Sequence, residues 1–430
     1  MSPGKAWTTL FKSCKFNSMD TSLSRPESKL KKLAGTAVLS LLLGLSRNGD
    51  TYALEAFDSV QIHGFASQSM FLTSGNNMFG PSISKPNFDF TELGVNASWV
   101  PLPNLRLAMQ VLSRRAGGLG NDGAPDIDFG LIDYGFNFDN DYRFGIRAGR
   151  VRVPYGLYND TRDVAFTRPS ILLPQSIYFE SSRSFTISTD GLLLYAQSSK
   201  PWGNLTLEVA GSYPRSDNKD TQYDFLGRVS SGTLRPNPGV IGRLNYESYD
   251  KSLRFALTGA RISMDYHQKY ATDQIPKGDI NFDPVVISAQ YNAEKFSLTS
   301  EYSYWLFNNT SYNLKQNGES YYFQAAYRFY PQWEVMARYD AFYLNTDDES
   351  GKAFRASGQG PAFSQFAKYW TVGLRYDINR WTMIRAEYSY INGTALLPPQ
   401  GFVNHETGIP EYSKTTQYWD MFGLLVSFRF

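Results

Sequence analysis

The sequence predicts an all-β chain, a transmembrane antiparallel β-barrel of about sixteen strands with its third long connector folded inward. Three observations carry that prediction. Segments of about ten residues alternate apolar and polar side chains with a period of two. The connectors between those segments are alternately tight and long. Aromatic residues reach 16% of the 430-residue chain, with 29 Tyr and 30 Phe, while charged residues are 19% and mean hydropathy stays negative at -0.37. A soluble core does not need so many rings beside so little hydropathy. A barrel with lipid outside, water inside and aromatic girdles at two interfaces does.

Taken from the N-terminus, Lys29, Lys31 and Lys32 precede an apolar or small run from Leu33 to Leu45, then Ser46, Arg47, Asn48, Gly49 and Asp50. This pattern is that of a secretory signal and is too short to span a bilayer as a helix. Residues 1–53 are therefore expected to be a signal peptide region, with Met19 an alternative start, and residues 54–430 the barrel; cleavage falls after Ala53 or after Ala56. The single cysteine, Cys14, lies upstream, so no disulfide or thiol chemistry is expected in the exported part. Residues 1–56 hold eight Lys/Arg and four Asp/Glu, which leaves 34 positive and 36 negative charges in the rest.

The strands are predicted near 60–72, 90–100, 105–114, 127–138, 142–150, 186–198, 204–213, 239–248, 252–264, 283–292, 296–306, 319–329, 333–344, 367–377, 381–391 and 417–430. In the second, Leu93, Val95, Ala97 and Trp99 alternate with Glu92, Gly94, Asn96 and Ser98. After a turn at Pro101 to Asn104, Leu105, Leu107, Met109 and Val111 resume against Arg106, Ala108 and Gln110. Seven short connectors alternate with longer polar ones, the arrangement of periplasmic turns and extracellular loops in an even-stranded barrel. In the final strand Tyr418, Asp420, Phe422, Leu424, Val426, Phe428 and Phe430 share one face. A C-terminal Phe on an alternating strand resembles the assembly signal of outer-membrane barrels, and that resemblance implies recognition of Phe430 by the barrel-assembly machinery and residence among outer-membrane lipids.

The same alternation assigns the lumen. Its expected arginines are Arg106, Arg143, Arg147, Arg243, Arg254, Arg328, Arg338, Arg375, Arg385 and Arg429, opposed by Glu208, Glu247, Glu301, Asp340 and Glu387. The longest connector, Val151 to Ser184, adds Arg152, Arg162, Arg168 and Arg183 with Asp160, Asp163 and Glu180, together with the apolar runs Val153 to Tyr158 and Ile171 to Pro174. A segment that packs inside a polar lumen needs both kinds of residue. If it folds inward, Arg152, Arg162 and Arg168 approach Arg143 and Arg147, and the crowded charges favour anions. The expected activity is a water-filled channel for passive diffusion of small hydrophilic solutes, with anion preference. A substrate-specific anion channel, or a barrel enzyme such as a lipase or protease with its site at the rim, is the alternative.

The segment Gly149-Arg150-Val151-Arg152-Val153-Pro154-Tyr155-Gly156 resembles the glycine, basic residue, Pro-aromatic-Gly stretch of the phosphate-selective porin family. That resemblance implies a trimeric channel with arginines along the pore and clustered lysines in inner loops. The chain departs on the lysines: its exported part has 23 Arg and only 11 Lys, scattered through turns and loops. A broader anion or small-solute channel fits better than a dedicated phosphate site. No cofactor, metal or nucleic-acid motif is present, and His63, His267 and His405 are far apart with no nucleophile motif beside them.

Overall fold

The computed structural model describes residues 59–430 apart from Gly120, Asn121, Asp217, Thr272 and His405. The expected signal segment, its cleavage sites and Cys14 lie outside the described residues, as does His405. Seventeen strands are present among the described residues: β1 (Gln61–Thr73), β2 (Asn87–Leu102), β3 (Leu105–Ala116), β4 (Asp126–Phe138), β5 (Tyr142–Arg152), β6 (Ser188–Lys200), β7 (Gly203–Pro214), β8 (Thr233–Pro236), β9 (Gly239–Ser248), β10 (Leu253–His267), β11 (Gly278–Asn292), β12 (Phe296–Asn309), β13 (Leu314–Tyr330), β14 (Trp333–Tyr343), β15 (Phe366–Asp377), β16 (Thr382–Gly393) and β17 (Tyr418–Arg429).

Sixteen of them form a closed antiparallel barrel. Successive strands pair, β7 pairs with β9, and β17 returns to β1 with Phe65 opposite Arg429. All sixteen predicted strands are recovered. The seventeenth, β8, is not a separate wall element. It continues the line of β9 on the same partner, with Pro236 opposite Met264 and Val240 opposite Arg261. Pro238 lies in the gap; it has no N–H to give to a ladder, so the strand breaks there.

Alternation becomes architecture because each ladder brings like faces together. Ile146 lies opposite Leu194, and Leu194 opposite Val209, all three exposed on the outside. Rings such as Phe138, Trp202, Tyr330, Trp381 and Phe428 form an exposed girdle at the short-turn rim. Barrel closure leaves no strand edge unpaired, which is the condition for spanning hydrocarbon. At the seam Gly64 and Phe430 exchange backbone hydrogen bonds of 3.2 and 3.0 Å, and the Phe430 ring lies where a Cβ on Gly64 would be.

The third long connector, residues 153–187, folds into the lumen and ends in a short helix α1 (Arg183–Ile187). Nearly all of it is buried. Leu157, Tyr158, Leu173, Ile177 and Tyr178 pack on Ala256, Val286 and Tyr322 of the wall. Ala165, Phe166, Ile171 and Leu172 pack on another sector, against Phe71, Phe90, Tyr369, Met383, Trp419, Met421 and Leu425. Each fully buried Leu, Ile or Phe of this kind stabilises by roughly 1.5–3 kcal/mol. Trp419, Met421 and Leu425 thus make the inner face of β17 apolar where a polar lumen was expected, because it meets the connector and not water.

Candidate functional site

The connector is held to the wall mainly through its own backbone. Arg243 donates to Gly156 O at 3.0 Å, Arg254 to Leu157 O at 3.3 Å, Arg338 to Leu172 O at 3.3 Å, Arg375 to Phe166 O at 3.2 Å and Arg385 to Arg168 O at 3.0 Å. Wall carboxylates take the N–H groups: Glu301 accepts from Leu157 N at 3.0 Å and Glu387 from Ile171 N at 2.5 Å. An irregular segment inside a barrel has no ladder to satisfy its peptide groups, so the wall must supply partners. Arginine serves because its guanidinium carries five donors on a long stem.

Tyr178 is the hub of this docking. Its hydroxyl accepts from Leu157 N at 2.7 Å and donates to Glu301 at 2.8 Å, while Tyr322 also donates to Glu301 at 2.8 Å. Gly156 turns the chain into this hub with φ +56°, and a Cβ there would collide with the Tyr178 hydroxyl. That close approach explains the glycine of the Pro-aromatic-Gly stretch.

The charged side chains of the connector are buried in an alternating network. Arg168 meets Glu92 at 2.7 Å, Arg114 meets Glu92 at 3.3 Å and also Glu180, and Arg162 meets Glu180 at 3.1 Å. Arg152 bonds Asp128 at 2.7 Å and also Asp163, while Arg183 bonds Asp163 and lies 3.4 Å from Asp128. Burial pushes the Glu180 carboxyl up, but Arg114 and Arg162 overcome it and hold it at about 2. Asp163 behaves alike: burial is opposed by Arg152 and Arg183, which keep the carboxyl well below its usual range.

This arrangement corrects the expected crowding of like charges. Arg152, Arg162 and Arg168 do not line an open passage beside Arg143 and Arg147. Each is buried against carboxylates, because an unpaired charge at that depth would be far too costly. Arg243, Arg254, Arg338, Arg375 and Arg385 face inward as assigned, yet they are anchors for the connector; Arg385 is only 2% exposed.

Arg106, Arg143 and Arg147 stay open to solvent towards the short-turn rim; of the other assigned arginines, Arg429 is exposed over the Phe166 ring and half-exposed Arg328 is held by Glu334 and Asp377. Arg106 on β3 is 49% exposed and bonds Asp133 at 3.2 Å. Arg147 on β5 bridges Asp133 at 3.4 Å and Glu208 at 3.3 Å and lies over the Tyr195 ring at 4.7 Å. Arg143, four residues lower on the same face of β5, is exposed. The structure thus gathers Arg106, Arg143 and Arg147 on β3 and β5, apart from the buried connector arginines Arg162 and Arg168. Half-exposed Arg254 and Arg375 contribute their edges to the same vestibule.

The sequence reading missed Glu92, Asp128 and Asp133. Glu92 and Asp133 could have been found, since each sits on the inward parity of a clear strand. Asp128 could not, because the β3–β4 register shifts beside it, between Gln110 and Val111. As for rim chemistry, His63 lies at the short-turn end of β1 and His267 at the long-loop end of β10, so the strands hold them at opposite ends. Among the described residues no group of three metal-ligating side chains comes together.

No family model matches the chain, and no curated protein matches it in sequence. Solved structures match its fold. An anion-selective porin from Comamonas acidovorans aligns with TM-score 0.53 at 11% identity, over 86% of this chain and 99% of that one. The outer membrane channel DcaP of Acinetobacter baumannii gives 0.53 and 11%, over 86% and 97%. OmpF of Salmonella typhi, in complex with daunomycin, gives 0.51 and 15%, over 86% and 97%. All share the closed antiparallel barrel.

Proposed function

We propose that the chain is an outer-membrane porin for passive diffusion of small hydrophilic solutes, with a preference for anions. The observation that carries this reading is a sixteen-strand barrel with a lipid-type outer face and a polar, arginine-bearing vestibule, closed down by an inward connector. The porin and channel titles of the structural neighbours support it. Anion preference rests on Arg106, Arg143 and Arg147, whose positive potential is focused by the low-dielectric wall and screened over about 8 Å at physiological salt. A cleaved signal after Ala53 or Ala56, outer-membrane lipid, the barrel-assembly machinery acting on Phe430, and a homotrimer complete the reading.

The test is the zero-current potential across a planar bilayer under a salt gradient. The parent should be anion-selective. The triple variant Arg106→Gln, Arg143→Gln, Arg147→Gln should lose that preference with conductance retained, and the parent's selectivity should weaken as salt rises. A cation-selective parent defeats the charge argument and leaves the channel reading; a parent that never conducts defeats the channel reading.

A further inference from the structure

We infer that the permeation path runs along the β2–β5 wall, and that a single layer of side chains, Gln110, Asp128, Arg152, Asp163 and Arg183, is its gate. This rests on the porin reading above. Two independent features of the molecule meet at that layer.

The first is the shape of the vestibule. On β10 to β17 the inward face is covered within the first five residues from the short-turn rim, as at Ala256, Ser288, Thr299, Ala326, Met336 and Met383. On β2, β3 and β5 it stays accessible further. Ser98 and Asn96 precede the first buried position, Gly94; Arg106 and half-exposed Ala108 precede Gln110; Arg143, Gly145 and Arg147 precede Val151. Those first covered positions are the ninth, sixth and tenth residues from the rim. Water therefore reaches deepest along β2 and β5; β3 is open to the same depth as β6, β7 and β9, whose first covered inward positions are Tyr195, Glu208 and Arg243, and on β4 the Tyr195 hydroxyl covers Gly135 from the side.

The second feature lies on the long-loop side of the same strands. A cavity of about 100 Å³ is lined by Leu112 and Arg114 of β3, Ala124, Asp126 and Asp128 at the start of β4, Glu180 and Arg183 of the connector, and Arg215 after β7. That is room for roughly three waters. Asp128 forms part of its floor. Immediately beneath, Gln110 donates to Asp128 at 3.1 Å and to Asp163 at 3.0 Å, and Arg152 and Arg183 tie the same two carboxylates together. Ala108, open to the vestibule, is only two residues below Gln110 on the same strand. The closed part of the path is one side-chain layer thick here, whereas elsewhere the apolar body of the connector intervenes.

The layer also has the composition a gate for polar solutes requires. Its two arginines and two aspartates balance, so parting it leaves no net charge to hold a passing ion, and each group has an ionic partner to return to. Selection by sign then belongs to Arg106, Arg143 and Arg147 below, and selection by size to this layer.

The experiment uses the exported protein, which lies wholly after Cys14 and so carries no cysteine of its own, in planar bilayers. Ala108→Cys, below the layer, and Ala124→Cys, above it, are each treated with a negatively charged methanethiosulfonate, with Ser297→Cys on the far wall as control. We expect the current to fall by at least half for the first two and to stay unchanged for Ser297→Cys. Gln110→Ala, which removes a neutral member and leaves both ion pairs intact, should raise single-channel conductance at least twofold, while Gln290→Ala should not. Block at Ser297→Cys without block at Ala108→Cys and Ala124→Cys overturns the path, and unchanged conductance in Gln110→Ala overturns the gate. Silence of the parent and of every variant overturns the porin reading and this inference with it.

Discussion

Arg143 and Arg385 occupy equivalent places: each is an inward-facing arginine a few residues above a tight turn, on a strand of the same alternating type. One is exposed to the vestibule, and the other is buried and donates to the Arg168 carbonyl. The contrast between the β3–β5 wall and the β14–β16 wall teaches that an inward arginine in a barrel is not yet a solute contact. Where the connector's carbonyls come within reach, the guanidinium becomes part of the plug's hydrogen bonding. Where they do not, it stays with water.

That comparison can be broken most sharply at Arg168, the connector's own arginine. Arg168→Ala removes the closest partner of buried Glu92, and loss of one member of a buried pair costs roughly 3–5 kcal/mol. Its urea unfolding midpoint should fall accordingly.

A smaller effect is expected at the docking hub. Tyr178→Phe strips Glu301 and the Leu157 and Tyr158 amides of one shared hydroxyl, a loss of about 1–3 kcal/mol for buried groups left unpaired. The connector should become more accessible to protease while the barrel's strand content by circular dichroism is unchanged. Equal protection in both proteins would mean that apolar packing alone holds the plug.

The loop cluster above the plug supplies a pH-dependent contrast. Helix α2 (Lys219–Leu226) docks on the connector through Asp224, which accepts from Ser181 Oγ at 2.7 Å. Burial pushes this carboxyl from 3.8 up to about 8, against the hydrogen bonds of Ser181 and Ser182. The undocked group therefore ionises first. Docking is strongest below about pH 4, weakens steadily as pH rises towards 8, and is flat beyond. Hydrogen exchange at Tyr223 to Leu226 should quicken over that window in the parent and show no such change in Asp224→Asn.

The smallest effect belongs to the vestibule. Arg143→Gln should alter unfolding by no more than about 0.5 kcal/mol, as for exposed substitutions generally. A cost approaching that of Arg168→Ala would erase the distinction between the two walls.

Much of this molecule was legible in its residues. Period two is set by the pleat of a single strand, so Leu93, Val95, Tyr418 and Phe428 declare their outward face without reference to any neighbour. The alternation of tight turns and long loops gives topology by the same local route, and the mixed apolar and charged content of Val153 to Ser184 marks it as a packing segment. Trp419, Met421 and Leu425 were also a readable signal, being large apolar groups on a parity otherwise assigned to water. What no local pattern contains is which inward positions the connector covers. That depends on contacts between segments up to hundreds of residues apart, such as Ile171 with Glu387 or Leu157 with Glu301. The sequence by itself determined the barrel, the direction of side chains on the regular strands and the inward fate of the connector. Only the tertiary structure decided which arginines are anchors and which face water, because burial follows from where an irregular chain finds partners for its peptide groups.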